Sequence, residues 1–526
     1  MSQIVYRGNL STKAFPFLTD FQGRTVIVPG PDNTFNRSLT SSEDLDRDVG
    51  VPIAYYCHNV LPAPYGFNSI GYESVVNSVT DGSNEFTSTR LIRSNPISPS
   101  VQGPSVYYAS RPAAAYKLGI GDVFWVGVIS SVPHLATQKE SFATVQGITY
   151  IHYEGIGAYK YDNPTQALIP VSLSGLVPAD IIGVVASQGY LVAYSQSTVY
   201  WSSTLDIDYT LNLVDFAPSL TTGAGSIIPE GLKGPIRFLT ATTFGFLIFT
   251  SSNIVSATYS GNVRYPFNFR ELVNSGGCQS EELVAYDANS NALYVYTTSG
   301  IQLINQTGTQ TVMPEVTDFL AGQDFEDFNE ATRQFSLTVL TLPMVKKLAT
   351  VSDRYLIISY GVSSLTHAIV YDMAQRRYGK LKTPHTDCFE FEYLDPTLAD
   401  APRKSIAFLK PSGAVQVVNP SVTFSQSSGV ILLGKFQYAR SRLLTLEGLV
   451  LQTVHTNQTV AVYNLASESG GTIESVVEYP AYEVSLSGQS QRKYEFHVTA
   501  TNHSILLIGG FFLSSFVLNF HVSGRR

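Results

Sequence analysis

The feature that most restricts the fold of this chain is a β-hairpin unit that recurs along it. Tyr194-Ser195-Gln196-Ser197-Thr198-Val199 lies over Phe249-Thr250-Ser251-Ser252-Asn253-Ile254 at an offset of 55. That segment lies over Tyr296-Thr297-Thr298-Ser299-Gly300-Ile301 at an offset of 47. Each unit reads as an apolar strand, an aromatic, a small polar turn and a β-branched residue. Further strand–turn–strand runs fill 354–372 and 404–419, and helical periodicity is scarce. One small sheet cannot bury both of its faces, whereas sheets stacked around a ring bury each other's. A period of about 40–55 residues therefore favours a β-propeller, although a sandwich of hairpins satisfies the same alternation.

From Ser421 onward the strands lengthen and alternate more strictly, which predicts a separate antiparallel β domain of sandwich type. The expected fold class is all-β: a propeller-like body over 51–420, an N-terminal arm over 1–50 and a C-terminal sandwich-like domain over 421–526. Thr80–Lys117 is rich in Ser, Pro, Asn and Gly and reads as a long surface loop. One short helix is expected near 314–321. Pro314 suits its first turn, Glu315 favours the positive end of its dipole, and Gly322 closes it. The apolar run Ser504–Phe520 carries a Gly pair and is too short for a membrane helix, so two buried strands joined near Gly509 and Gly510 are expected, and no membrane insertion.

Charged residues make up 14% of the chain, against about 25% in an ordinary soluble domain. Such a surface is either covered in an assembly or coated with uncharged polar groups. The net charge of −8 argues against a protein that grips nucleic acid. Cys57, Cys278 and Cys388 are far apart and read as reduced, buried thiols. The first residues lack an apolar stretch, so no secretory leader is expected.

A search for chemistry returns little. There is no phosphate loop, HExxH, GxSxG or sialidase-type Asp box, and Gly155-Ile156-Gly157 lacks the third glycine of a dinucleotide motif. His385-Thr386-Asp387-Cys388 is the densest group of metal-ligating types, but two further ligands are missing. His152 and Glu154 share a strand face, an arrangement that could bind a cation and that a cross-strand polar pair explains equally well. Asp206, Asp208 and Tyr209 after Trp201 have the residue types of a sugar site, but a polar turn after a strand ending in Tyr-Trp accounts for them better. No catalytic residue, metal or cofactor is expected. Asp318, Asp324, Glu326, Asp327 and Glu330 form an acidic stretch without EF-hand spacing and are the candidate channel or interface carboxylates.

Four segments, taken together, resemble one family. They are Tyr55-Tyr56-Cys57-His58-Asn59-Val60-Leu61-Pro62, Tyr65-Gly66-Phe67-Asn68-Ser69-Ile70-Gly71-Tyr72, Pro314 to Gly322, and the run from Ser359 to Lys382; the terminal Gly524-Arg525-Arg526 fits the same picture. The resemblance is to the tail nozzle, or tail tubular B, proteins of short-tailed bacteriophages. It implies a propeller with β appendages, set in a hexameric ring around the DNA ejection channel of the virion and assembled in the host cytoplasm. The implied partners are tail adaptor or portal-side proteins, tail fibres and passing genomic DNA, which an acidic wall repels without sequence-specific binding. The alternatives are a receptor-binding or polysaccharide-degrading tail protein and, against the missing leader, a bacterial surface adhesin.

Overall fold

The computed structural model describes residues 3–9 and 26–27 and, with interruptions, 54–525; the breaks include 80–85, 94–104, 129–138, 204–211, 330–333, 340–344, 395–401, 421–428 and 468–476. Seven four-stranded antiparallel units follow one another from residue 88 to residue 419. Blade 1 holds Ser88–Arg93, Ser105–Arg111, Ala114–Gly119 and Val126–Gly127. Blade 2 holds Glu140–Val145, Ile148–Tyr153, Gly157–Asp162 and Ala167–Ser174. Blades 3 to 6 begin at Gly183, Ile236, Val284 and Val345. Blade 7 takes Asp387–Leu394, Pro402–Leu409 and Val415–Asn419, and its fourth strand is Gly71–Val76, from before blade 1. The first strands of blades 2, 3 and 4, and those of blades 5, 6 and 7, lie side by side, and that of blade 7 meets that of blade 1. This is a closed seven-bladed β-propeller whose first strands face a central channel.

The three overlaid hairpins are the second and third strands of blades 3, 4 and 5. A hydroxyl explains their common turn. Thr250 Oγ1 donates to the Asn253 carbonyl at 3.0 Å and accepts the Asn253 N–H at 2.9 Å. Thr297 Oγ1 donates to the Gly300 carbonyl at 2.8 Å, and Ser195 Oγ accepts the Thr198 N–H at 3.2 Å. A side-chain hydroxyl at the first turn position thus satisfies backbone groups the ladder leaves open.

Apolar clusters fill the spaces between blades. Val185, Phe238, Phe249 and Leu293 join blades 3, 4 and 5. Tyr107, Trp125, Phe391 and Val417 join blade 1 to blade 7, where Trp125 Nε1 donates to the Gly413 carbonyl at 2.7 Å.

The second body is a two-sheet sandwich. One sheet holds Gly66–Ser69, Phe512–Arg525, Arg442–Thr453, Gln491–Ala500 and Gln3–Asn9, and it continues through Val60–Ala63 into the strands of blade 6. The other holds Gly429–Gln437, Asn502–Gly509 and Thr459–Ser467, with Ala54–His58 and three shorter strands. Phe436, Leu446, Val462, Leu507 and Phe516 fill its core. The run 504–520 forms two strands, one in each sheet. Among the described residues no helix is long and apolar enough to cross a membrane.

Two expectations need correction. The stretch 80–117 is not one long loop, because three strands of blade 1 run through it. Its Ser, Pro and Asn residues gather in the connection 94–104, outside the described residues, and masked the alternation on either side. Nor does the propeller start at 51: Ala54–His58 pairs with Gly429–Gln437, so both ends of the chain build the sandwich. The helix spans Pro314–Ala321 and sets Val316 and Leu320, one turn apart, into the core.

Candidate functional site

Charged side chains converge on the propeller channel from five blades. Arg90 (blade 1) reaches Glu281, just ahead of blade 5, at 3.7 Å and lies over the Phe142 ring of blade 2 at 5.9 Å. Lys347 (blade 6) holds Asp387 Oδ1 (blade 7) at 2.7 Å and Glu282 Oε1 at 3.6 Å. Asp387 also accepts the Thr89 N–H at 2.6 Å and the Cys388 N–H at 2.9 Å, which ties blade 7 to blade 1. Glu140 (blade 2) accepts Ser110 Oγ of blade 1 at 3.0 Å.

The electrostatics follow from the narrow setting. Burial pushes the Glu140 carboxyl up to about 7, and Ser110 and Arg90 offset this only in part. Glu281 is 42% open to water along its side chain but walled in by protein, as a group in a channel is. Its carboxyl is raised by desolvation and by Glu282, against the pull of Arg90 and Lys347. Four carboxylates thus share two cations, and each cation bridges blades. Arg90 and Glu281 are three blades apart by the shorter way round the ring, so their pairing spans the channel.

A second convergence lies where sandwich and propeller meet. Asn59, in the left-handed region at φ 52°, accepts the Tyr72 hydroxyl at 2.8 Å and the Lys382 N–H at 3.0 Å on one amide oxygen. Arg377 Nη1 donates to the Ala63 carbonyl at 2.9 Å. Gly379 is required here, because a Cβ would sit 2.3 Å from the Val60 carbonyl oxygen. Lys380 Nζ lies 4.6 Å from the centre of the Phe319 ring, and Phe319 packs edge-on against Tyr360. Burial pushes the Cys57 thiol up, with Lys380 opposing. The segments 55–62, 65–72, 314–322 and 359–382 therefore meet at one seam.

Of the residues singled out from sequence, Asp387 is a member of the channel network and Asp318 lies on the helix at the seam. Asp324, Glu326 and Asp327 lie on Asp324–Asn329, which pairs with Gln334–Val339 as a hairpin between blades 5 and 6. Glu330 is outside the described residues, as are Asp206, Asp208 and Tyr209. Trp201 is buried and donates to the Gly223 carbonyl at 2.8 Å, so it offers no open platform. His385 is held between the Thr383 carbonyl (2.7 Å) and Ser359 Oγ (2.8 Å), and burial lowers it to about 4. His152 is fully buried and likewise lowered to about 4 by burial, while Glu154 sits at the turn beyond it. All three cysteines are buried free thiols. No group of His, Cys, Asp and Glu suited to a metal occurs among the described residues.

Sequence reasoning missed Arg90, Glu140, Glu281, Glu282 and Lys347. They are spread over more than 250 positions, and only ring closure assembles them. The signal available was a charged residue in, or just before, an otherwise apolar first strand of a unit.

No family model and no curated protein sequence matches the chain. Among solved structures it is similar to YCF48 bound to D1 peptide: 10% identity, TM-score 0.38, over 70% of this chain and all of that one. It is also similar to the WD40 β-propeller domain of Doa1: 7% identity, TM-score 0.36, over 66% of this chain and 97% of that one. YCF48 from Cyanidioschyzon merolae gives 8% identity and a TM-score of 0.37, over 67% and 99%. The propeller assignment rests on the sheet order above, not on these likenesses.

Proposed function

We propose that this chain is a structural protein of a short-tailed phage virion, of the tail nozzle type. In this reading copies assemble in the host cytoplasm as a ring, most simply a hexamer, that surrounds the DNA ejection path and docks adaptor or portal-side proteins and fibres. The observation that carries the reading is the seam. Segments that resemble nozzle proteins lie up to 323 positions apart at their contacts, yet they meet at the junction that fixes the sandwich on blade 6. A chance resemblance has no reason to converge on one place.

Two further features support it. The low share of charged residues suits a surface covered by neighbours. The histidines and cysteines that invited a catalytic reading are engaged in packing, so the role proposed is mechanical and needs no cofactor. The net negative charge would let DNA slide past by repulsion over about 8 Å, the Debye length at physiological salt.

The test is a cryo-electron microscopy map of the particle. A ring of copies around the DNA path is expected. A single copy, a trimeric spike, or hydrolysis of host capsular polysaccharide by the purified chain would reject the reading in favour of a receptor-binding or degrading tail protein.

A further inference from the structure

Every blade runs in the same sense, so the turn between its third and fourth strands falls at the same end of the ring and near the rim. Three such turns, in blades 1, 3 and 4, carry exposed apolar groups. In blade 1 the turn after Ala114–Gly119 presents Ile120, Val123 and Phe124, the last 61% exposed. In blades 3 and 4 the corresponding connections present Leu220, 78% exposed, with Val263 and Tyr265. These two connections touch: a Cβ on Gly223 would meet Val263 Cγ1 at 2.7 Å. They form one patch, distinct from that of blade 1.

The charges on the two patches are single and opposite. Over 118–128 the only charged residue is Asp122, which is exposed. Over 217–227 and 259–267 the only one is Arg264, whose guanidinium lies 5.6 Å from the centre of the Tyr265 ring. Tyr and Arg beside apolar groups are the residue types that dominate protein interfaces.

We propose that these patches are the two halves of a head-to-tail contact between copies of this chain, Phe124 and Val123 of one copy seating against Leu220, Val263 and Tyr265 of the next, with Asp122 facing Arg264. Two different, complementary patches make a heterologous contact, which closes into a ring when its rotation allows. The angle is suitable. Two to three blades separate the patches, at about 51° per blade, or roughly 100–150° around the ring. A closed ring of six needs neighbours about 120° apart around each member. The inference rests on the ring-forming role proposed above and names the surface that serves it.

The test uses the full chain and disulfide trapping, for which the native cysteines are suitably buried. Val123→Cys and Val263→Cys are purified separately, checked by circular dichroism against the parent, mixed and oxidised. A mixed disulfide dimer is expected, with self-pairs at least tenfold weaker. Phe124→Ser in the first variant should cut the yield about tenfold. Arg264→Asp in the second should cut it two- to fivefold, and Asp122→Arg in the first should restore it. Ile120→Cys and Leu220→Cys serve in place of a variant that fails to fold. No mixed disulfide between folded variants, or self-pairing equal to mixed pairing, overturns the proposal. A map that leaves this chain out of the tail would overturn the nozzle reading and leave the trapped dimer standing. A ring in the particle joined through other surfaces would do the reverse.

Discussion

Replacing Asp387 with Ala should cost the propeller about 4 kcal/mol. The carboxylate pairs with Lys347 at 2.7 Å, and the two side chains are only 5% and 10% exposed. Truncation leaves the ammonium with Glu282 alone, at 3.6 Å and half in water. It also leaves the Thr89 N–H without its acceptor. Breaking one partner out of a buried pair costs about 3–5 kcal/mol, and an orphaned buried N–H about 1–3. The two terms share one carboxylate and do not add in full. Lys404→Ala is the control. Its pair with Glu390 has the same 2.7 Å length but an ammonium 57% exposed, so its loss should cost at most about 1 kcal/mol. Urea titration followed by tryptophan fluorescence measures both. The double variant Lys347→Met, Asp387→Leu should recover the ion-pair part of the loss, because apolar groups of similar volume leave no stranded charge, while the Thr89 N–H stays without its acceptor. A cost below about 1 kcal/mol for Asp387→Ala, or a double variant no better than the single, would refute the reading of this pair as the tie between blades 6, 7 and 1.

Stability should fall as the solution is acidified below about pH 6.5. His152, His385 and His503 are each lowered to about 4 by burial, so their contribution is complete above the unfolded value near 6.5 and is lost as pH falls through 4, about 3 kcal/mol each. Glu140 works the other way. Raised to about 7, it adds stability below about 4.5 and loses it as pH rises through 7; Glu281, also raised, acts in the same sense, and the three histidines outweigh the two carboxyls. A melting temperature that rises between pH 6.5 and 4.5 would contradict this sum. Among the turn hydroxyls, Thr250→Val and Thr297→Val should each cost about 1–3 kcal/mol, and the more open Ser195→Ala less than about 1, read from urea midpoints.

What the sequence disclosed tracks the range of the forces involved. The hairpins over 189–203, 244–260 and 291–305 are local, and their hydroxyl-capped turns repeat in the residues themselves. The helix at 314–321 is equally local, set by Pro314 and by the spacing of Val316 and Leu320. Blade 1 was hidden because its shortest strand, Val126–Gly127, and its polar connection diluted the pattern. The channel network left no mark in any window. Arg90 and Glu281 gain meaning only from the circular order of the blades, which no spacing along the chain encodes. The seam lay between these extremes: its segments were visible one by one, but their convergence was not.

That seam also makes the two bodies depend on each other. Phe512–Arg525 pairs with Arg442–Thr453, with Gln3–Asn9 and with residues of Gly66–Ser69. Ser69 is fixed to Phe511 three times: its N–H and hydroxyl donate to the Phe511 carbonyl, and its hydroxyl accepts the Phe511 N–H at 2.7 Å. Two residues later Gly71–Val76 begins, the strand that completes blade 7 and closes the ring. The end of the chain therefore anchors the segment that delivers the closing strand. Such pairing between distant ends forms late, because loop closure must be met before the contacts form. Deleting 511–526 should unfasten the propeller as well as the sandwich. Hydrogen exchange should then rise first in 71–76 and 415–419, while the amides of Gly245–Thr250 in blade 4 keep their protection, since their neighbours in blades 3 and 5 are untouched. Unchanged exchange at 71–76 in a truncated chain whose sandwich has been lost would show that blade 7 holds its fourth strand without that anchor.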